Sequence, residues 1–236
     1  MSLRKLQLQA AIIDLDGTLV HTLGDFEIAL NQVLKALQLP AATPELIGRS
    51  VGKGSSHLVR TVLTHQMQVA CTLSGQTAAS PSDEQLAHAQ QLYQQHYQAA
   101  NGLHAEPYPG VHEGLSALAA LGLQLACVTN KPLDFALRLL EQKGLRHFFE
   151  RVYGGDSFER RKPDPLPLLN TCAALGTQTS RTLMVGDSSN DAQAAHAAGC
   201  PVVLMTYGYN HGEPIRNTPA LAWLDSLKDL PPLLQA

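Results

Sequence analysis

Two aspartates one residue apart, Asp14 and Asp16, close the apolar run Ala10-Ala11-Ile12-Ile13 and lead into Gly17-Thr18. Alternate side chains of an extended strand point to one face. The pair therefore predicts two carboxylates aimed at a common point where a strand runs out into a turn. Carboxylates that close repel one another unless a cation or a shared proton lies between them. Three further polar groups follow strand-like runs: Thr129-Asn130, Lys162 in Arg161-Lys162-Pro163-Asp164-Pro165, and Asp187 with Asp191 in Gly186-Asp187-Ser188-Ser189-Asn190-Asp191. Singly, each is ordinary, as an Asp-Gly turn, a helix N-cap or a solvated loop.

Together, and in this order, they suit phosphoryl transfer. Asp14 can attack phosphorus and form an aspartyl phosphate. Asp14, Asp187 and the backbone carbonyl of Asp16 supply the oxygen ligands that magnesium prefers. Thr129 and Lys162 can bind phosphoryl oxygens, with Asn130 beside them, where charge must be stabilised during transfer. Asp16 can donate a proton to the leaving alkoxide and then activate water. Asp191 is placed to orient metal-bound water or Lys162.

Such groups converge only if separate strands end side by side. Strand-like runs occur at 8–13, 123–129, 151–153, 182–185 and 201–205, and residues 220–224 around Trp223 read as a terminal strand. Helical patterns at 111–121, 133–143, 165–175 and 190–198 lie between them. Gly144, Gly176 and Gly199 stand as stops just past the last three. This alternation predicts parallel βαβ units, a doubly wound Rossmann-like sheet whose ligands bind outside the carboxyl ends of its strands. Residues 21–102 break the rhythm. They favour helices at 25–37, 44–64 and 83–97, with a Ser/Thr/Gly-rich connection at 72–81. The expected division is a catalytic core of 1–20 and 103–236, and an all-helical cap of 21–102 inserted after the first strand. A module hung there can exclude water and supply substrate contacts.

The bulk properties narrow the classes of function. The chain has 236 residues, 44% hydrophobic content and a net charge of -3. That is enough for a large core, and it carries no basic footprint for nucleic acid or a membrane surface. Cys71, Cys127, Cys172 and Cys200 are scattered, which suits buried thiols in a reducing cytoplasm better than a disulfide framework or a zinc site. The ten histidines show no metal-ligand spacing; His57, His65, His88 and His96 fall on expected cap helices. Oligomeric state is not legible.

The ordered set Asp14-Leu15-Asp16-Gly17-Thr18-Leu19, Thr129-Asn130-Lys131, Arg161-Lys162-Pro163-Asp164-Pro165 and Gly186 to Asp191 resembles the haloacid dehalogenase-like superfamily of phosphohydrolases. The resemblance covers essentially the whole chain. It implies a Rossmann-like core, a helical cap, a magnesium cofactor, and the roles above with Asp14 as nucleophile and Asp16 as general acid and base. Tyr108-Pro109-Gly110-Val111, Gly154-Gly155-Asp156 and the stretch from Thr206 to Ile215 narrow the resemblance. What they imply is hydrolysis of a small phosphorylated acid, 2-phosphoglycolate, to glycolate and phosphate. One departure is His21-Thr22, where the family usually carries an acidic residue and a serine; it bears on cap closure or local hydrogen bonding, not on the phosphoryl chemistry.

The glycine-rich, basic segment 47–56 offers Arg49 and Lys53, with Arg60 beyond, as cations that could reach a substrate carboxylate from the cap; a solvated loop fits it equally well. The alternative is a capped phosphatase or phosphomutase acting on a sugar phosphate or nucleotide. A dehalogenase would need neither magnesium nor Asp16 as an acid. A phosphoacceptor signalling module is about half this length, with its acceptor later than the first strand. A non-catalytic binding protein leaves the acid, metal and lysine set unexplained.

Overall fold

A computed structural model describes residues 3–75 and 80–235. Six parallel strands form the central sheet: β1 (Ala10–Ile13), β4 (Gln124–Val128), β5 (Arg151–Tyr153), β6 (Thr182–Gly186), β7 (Val202–Met205) and β8 (Ala222–Leu224). Their order across the sheet is β5-β4-β1-β6-β7-β8, so β1 lies between β4 and β6. The first strand is shorter than the apolar run suggests, beginning at Ala10 rather than at residue 8.

Period-two geometry sends successive residues of these strands to opposite faces. Ala11, Ile13, Leu125, Cys127, Leu183 and Val185 join one apolar cluster with α5 (Val111–Ala120) and α6 (Leu133–Gln142). Ala10, Ile12, Ala126, Val128 and Met184 join the other with α7 (Leu166–Leu175) and α8 (Ser189–Ala198). Both faces are covered, which is why the strands read as continuous hydrophobic runs. The short α9 (Leu230–Gln235) closes the first layer. All four cysteines are free thiols. No helix among the described residues is long and apolar enough to cross a membrane.

Between β1 and β4 the chain leaves the sheet through β2 (Val20–His21) and returns through β3 (Glu106–Pro107). These two short segments pair antiparallel with one another. The excursion carries α1 (Leu23–Ala36), α2 (Pro44–Ser50), α3 (Ser55–Ser74) and α4 (Asp83–Ala100), which enclose an apolar cluster of their own around Phe26, Leu30, Val62, Tyr93 and Tyr97. The single helix expected over 44–64 is two helices. Gly52 and Gly54 adopt φ of +103° and +88°, which only glycine takes without strain, and the chain turns there. α3 then runs to Ser74, so the expected connection at 72–81 starts later; its residues 76–79 lie outside the described set.

Asp25 ties the two crossings together. Completely buried in the first turn of α1, it accepts hydrogen bonds from the backbone N–H of Gly102 at 2.6 Å and of His104 at 2.8 Å. Burial raises its pKa above the ordinary carboxylate value, the two N–H bonds opposing that shift. Asp25→Ala would leave both amides without an acceptor and is expected to cost about 2–4 kcal/mol in urea unfolding. Asp25→Asn retains one acceptor oxygen and should recover about half of that. A loss below about 0.5 kcal/mol for Asp25→Ala would mean that the amides find other partners.

Candidate active site

The carboxyl ends of β1, β4 and β6 lie side by side, and their ladders continue one residue further. The Asp14 N–H bonds the Val185 carbonyl at 2.9 Å, and the Thr129 N–H bonds the Tyr153 carbonyl at 3.0 Å. Asp14, Thr129 and Asp187 are thereby held at adjacent strand ends. Lys162, in the loop before α7, enters the same space fully buried. Its ammonium lies 2.8 Å from Asp14 and 2.7 Å from Asp191, and it donates to the Val128 carbonyl at 2.7 Å. Burial alone would lower the lysine's pKa; the two carboxylates outweigh it and hold the charge on.

Asp14, Asp187 and Asp191 bring carboxylate oxygens within 4.8 Å of one another. Burial pushes Asp14 up to about 7, with Asp191 and Asp16 adding to the shift and Lys162 opposing it. Asp187 is raised well above its ordinary value by burial and then by Asp14 and Asp191. Three buried acids with one lysine between two of them leave negative charge that a cation would balance. Asp14 Oδ1 meets Lys162 as an ion pair but accepts no hydrogen bond, so it keeps lone pairs for a ligand. The donor set is all oxygen, which suits magnesium.

The three acids differ in how much they have to spare. Asp191 is spoken for: Oδ1 takes Lys162, while Oδ2 accepts from the Ser188 hydroxyl at 2.7 Å and from the Ser188 and Asp187 amides. It holds Lys162 and the turn into α8. Asp187 is clamped by the Thr18 hydroxyl on one oxygen and the Tyr209 N–H on the other, both at 2.6 Å, with a second lone pair free on each. Gly17 sits against it with φ of +88°, and a side chain there would run into the carboxylate. Asp14 and Asp187 could therefore hold a metal ion, and Asp191 steadies their neighbours.

Asp16 lines the same cavity as Asp14 but stands outside the cluster of Asp14, Asp187 and Asp191. Gly17 N–H bonds the Val20 carbonyl, and the amides of Thr18, Leu19 and Val20 all turn back to the Leu15 carbonyl. This tight loop carries Asp16 away to a second lysine. Lys131 Nζ donates to both oxygens of Asp16, at 2.9 and 3.2 Å, and to the Tyr97 hydroxyl, and it lies 4.8 Å from the ring centres of Phe26 and Tyr97. The Lys131 pairing has no counterpart in the sequence reading, although the residue stands within the Thr129-Asn130-Lys131 motif.

Thr129 is buried, accepts from the Lys131 N–H at 3.2 Å and lines the cavity with Asp14. The Asn130 amide is fully used as a donor: Nδ2 bonds the carbonyls of Gly52 and Lys162, each at 2.8 Å. It joins the helical layer to the lysine loop, and neither side-chain N–H is left for a substrate. Asn190 donates to the same Gly52 carbonyl at 3.1 Å.

The cations offered from the helical layer are placed elsewhere. Arg49, Lys53 and Arg60 are exposed, and none lines the cavity that holds Asp14. The Gly52–Gly54 turn presents a backbone carbonyl to the core and leaves the basic side chains outside. The stretch from Thr206 to Ile215 gains a role from the structure. Besides the Tyr209 amide on Asp187, the Tyr209 hydroxyl accepts from the Thr22 and Leu23 amides at 3.0 and 3.1 Å, and the Tyr207 hydroxyl donates to the Thr18 carbonyl at 2.8 Å. At the His21-Thr22 departure, the Thr22 amide is thus bonded, and the exposed His21 ring packs edge-on to Tyr108 with centroids 5.5 Å apart.

The chain belongs to the haloacid dehalogenase-like hydrolases, a family that matches residues 11–205. It is thus an enzyme of the hydrolase class on a Rossmann-like α/β scaffold. Among its relatives, the phosphoglycolate phosphatase of Thiobacillus denitrificans is 42% identical over 95% of this chain and 94% of its own. That of Nitrosospira multiformis is 41% identical over 98% and 97%. The crystal structure of a predicted phosphoglycolate phosphatase from Haemophilus somnus superposes with a TM-score of 0.87 at 34% identity, covering 95% of this chain and 96% of that one.

Proposed function

We propose that this hydrolase cleaves 2-phosphoglycolate to glycolate and phosphate, with magnesium as cofactor and an aspartyl phosphate on Asp14 as intermediate. The observation that carries the reading is a buried carboxylate, Asp14, with an oxygen that accepts no hydrogen bond, facing a cavity that also holds Asp16, Thr129 and Lys162. The substrate is taken from relatives about 40% identical over nearly the full chain.

In this reading Asp14 attacks phosphorus and the P–O bond to the glycolate oxygen breaks. Asp16 gives its proton to that oxygen, then takes one from the water that attacks the phosphorus of the aspartyl phosphate, releasing phosphate and restoring Asp14. Lys162 and the Thr129 hydroxyl receive the phosphoryl oxygens, and Lys162 is kept charged and fixed for that task by Asp191. Magnesium, held by Asp14, Asp187 and the Asp16 carbonyl, would offset the negative charge of the phosphoryl group. Residues 21–102 act as the cap over a core of 1–20 and 103–236, closing Phe26, Tyr93 and Tyr97 over the cavity.

A panel of phosphate esters assayed with and without Mg2+ tests the reading. The expected outcome is magnesium-dependent phosphate release with 2-phosphoglycolate strongly preferred. Even turnover of many sugar phosphates, with 2-phosphoglycolate ignored, would replace this reading with the broader capped phosphatase. Asp16→Asn is expected to slow hydrolysis of alkyl phosphates by about 10²–10⁴-fold and of activated aryl phosphates by much less, since only the former need a proton on the leaving oxygen. Equal losses on both would remove the acid role.

A further inference from the structure

The Asp14 cavity raises a question of charge. A phosphorylated acid brings a carboxylate as well as a phosphate into a space already rich in aspartates. Two cations line that space among the described residues, Lys162 and Lys131. Lys162 donates to Asp191 and the Val128 carbonyl, pairs with Asp14, and in the proposed reaction faces the phosphoryl group. Lys131 spends its donors on the two oxygens of a single carboxylate, Asp16, and on a tyrosine hydroxyl. Arg49 lies instead against Gly212 in a separate depression that Asp187 also lines, and Lys53 and Arg60 are exposed outside the cavity.

Covalent reach points to the same residue. In 2-phosphoglycolate a single methylene separates the leaving oxygen from the carboxylate. If Asp16 faces the leaving oxygen, the carboxylate must fall immediately beyond it, and the group immediately beyond the Asp16 carboxylate is the Lys131 ammonium at 2.9 Å. A cation on a distant cap loop could not reach so short an acid. Phe26 and Tyr97 wall the ammonium, and its side chain is 2% exposed, so water competes little for it.

We infer that Lys131 is the specificity-determining cation of this site, accepting the substrate's carboxylate in a share of the contact it makes with Asp16. The inference rests on the proposed function, because it presumes a substrate with a carboxylate one carbon from the leaving oxygen. It selects for short phosphorylated acids over neutral esters of equal size, and the aromatic wall from the cap sets the length limit.

The test compares 2-phosphoglycolate with 2-hydroxyethyl phosphate, in which a hydroxymethyl group replaces the carboxylate. The reading out is the ratio of their kcat/KM values, so a misplaced Asp16, which slows both esters, cancels. Lys131→Met, of similar length and apolar among aromatic rings, is expected to shrink the preference for the acid by about 30-fold. Binding of the two esters to Asp14→Asn, with and without Lys131→Met, should show the same collapse in the ratio of Kd values, free of any effect on chemistry. If Lys131→Met fails to fold by circular dichroism, Lys131→Gln gives the same measurement with the charge removed. An unchanged ratio in the folded variant would overturn the inference while leaving the proposed function standing. A wild-type enzyme that ignores 2-phosphoglycolate would overturn the proposed function itself, and the inference with it.

Discussion

Asp14→Asn is expected to lower turnover of 2-phosphoglycolate by at least about 10⁴-fold while the protein stays folded. The amide is nearly isosteric with the carboxylate but has no anionic oxygen to attack phosphorus, and nothing else in the cavity can replace it. Asp16 is turned toward Lys131, Asp191 has its oxygens filled, and Asp187 is clamped by Thr18 and Tyr209. Stability should change little, because two effects oppose. Lys162 loses one of its two carboxylates, but burial already pushes Asp14 up to about 7, so the ionised group is a burden to the fold. A net change within about 1 kcal/mol is expected. Phosphate release and near-UV circular dichroism check both halves, and activity above about one per cent of wild type would strip Asp14 of the nucleophile role.

Lys162→Met should damage fold and chemistry together. Its ammonium is the one positive charge between Asp14 and Asp191, and it also satisfies the Val128 carbonyl at the end of β4. Removing one partner from a buried ion pair typically costs about 3–5 kcal/mol, and here two carboxylates are left facing each other. The cost should depend on pH in metal-free protein. Asp14 already has its pKa raised to about 7, and losing Lys162 removes the influence that lowers it. A carboxyl whose folded pKa exceeds its unfolded one binds its proton more tightly when folded, so its burden on stability is full above the folded value and lifts as pH falls toward the unfolded one. Urea unfolding at pH 8 and pH 5 in EDTA should therefore show the larger deficit at pH 8. Turnover is expected to fall by about 10²–10³-fold or more, as for loss of a preorganised charge. A variant equally stable at both pH values, with normal activity, would show that the lysine is a bystander.

The parts of this molecule that local periodicity controls were legible in its residues. Ala10 to Ile13 had to be a strand buried on both faces, and Gly144, Gly176 and Gly199 had to stop helices. Placing Asp14, Thr129, Lys162 and Asp187 near one another needed only parallel strands ending together. Pairings across long stretches of chain were not legible. Asp16 and Lys131 are 115 residues apart, and a strand-end motif says which edge a residue occupies without saying which neighbour it meets. Residues 47–56 left two readings open for a related reason: glycine and basic side chains fitted both cations reaching inward and a solvated loop, and the positive φ of Gly52 and Gly54 turns a carbonyl inward and leaves the basic side chains out. The segment from Thr206 to Ile215 shows no chemistry in its spacing because its contribution is a backbone amide and a phenol aimed at places far away in sequence.

The paired crossings β2 and β3 have a kinematic consequence. The outgoing and returning chains are hydrogen-bonded to each other, Val20 against Pro107 and His21 against Glu106, so neither advances without dragging the other. Translation of the helical layer across the sheet is suppressed, and rotation about the ribbon is the freedom that survives. The Tyr209 phenol, bonded to the amides of Thr22 and Leu23, fixes the axis at its foot. In a rotation, displacement grows with radius. Side chains near the axis barely move, and the Gly52 turn can leave the core only by giving up its bonds to Asn130 and Asn190. Those two asparagines are the catch.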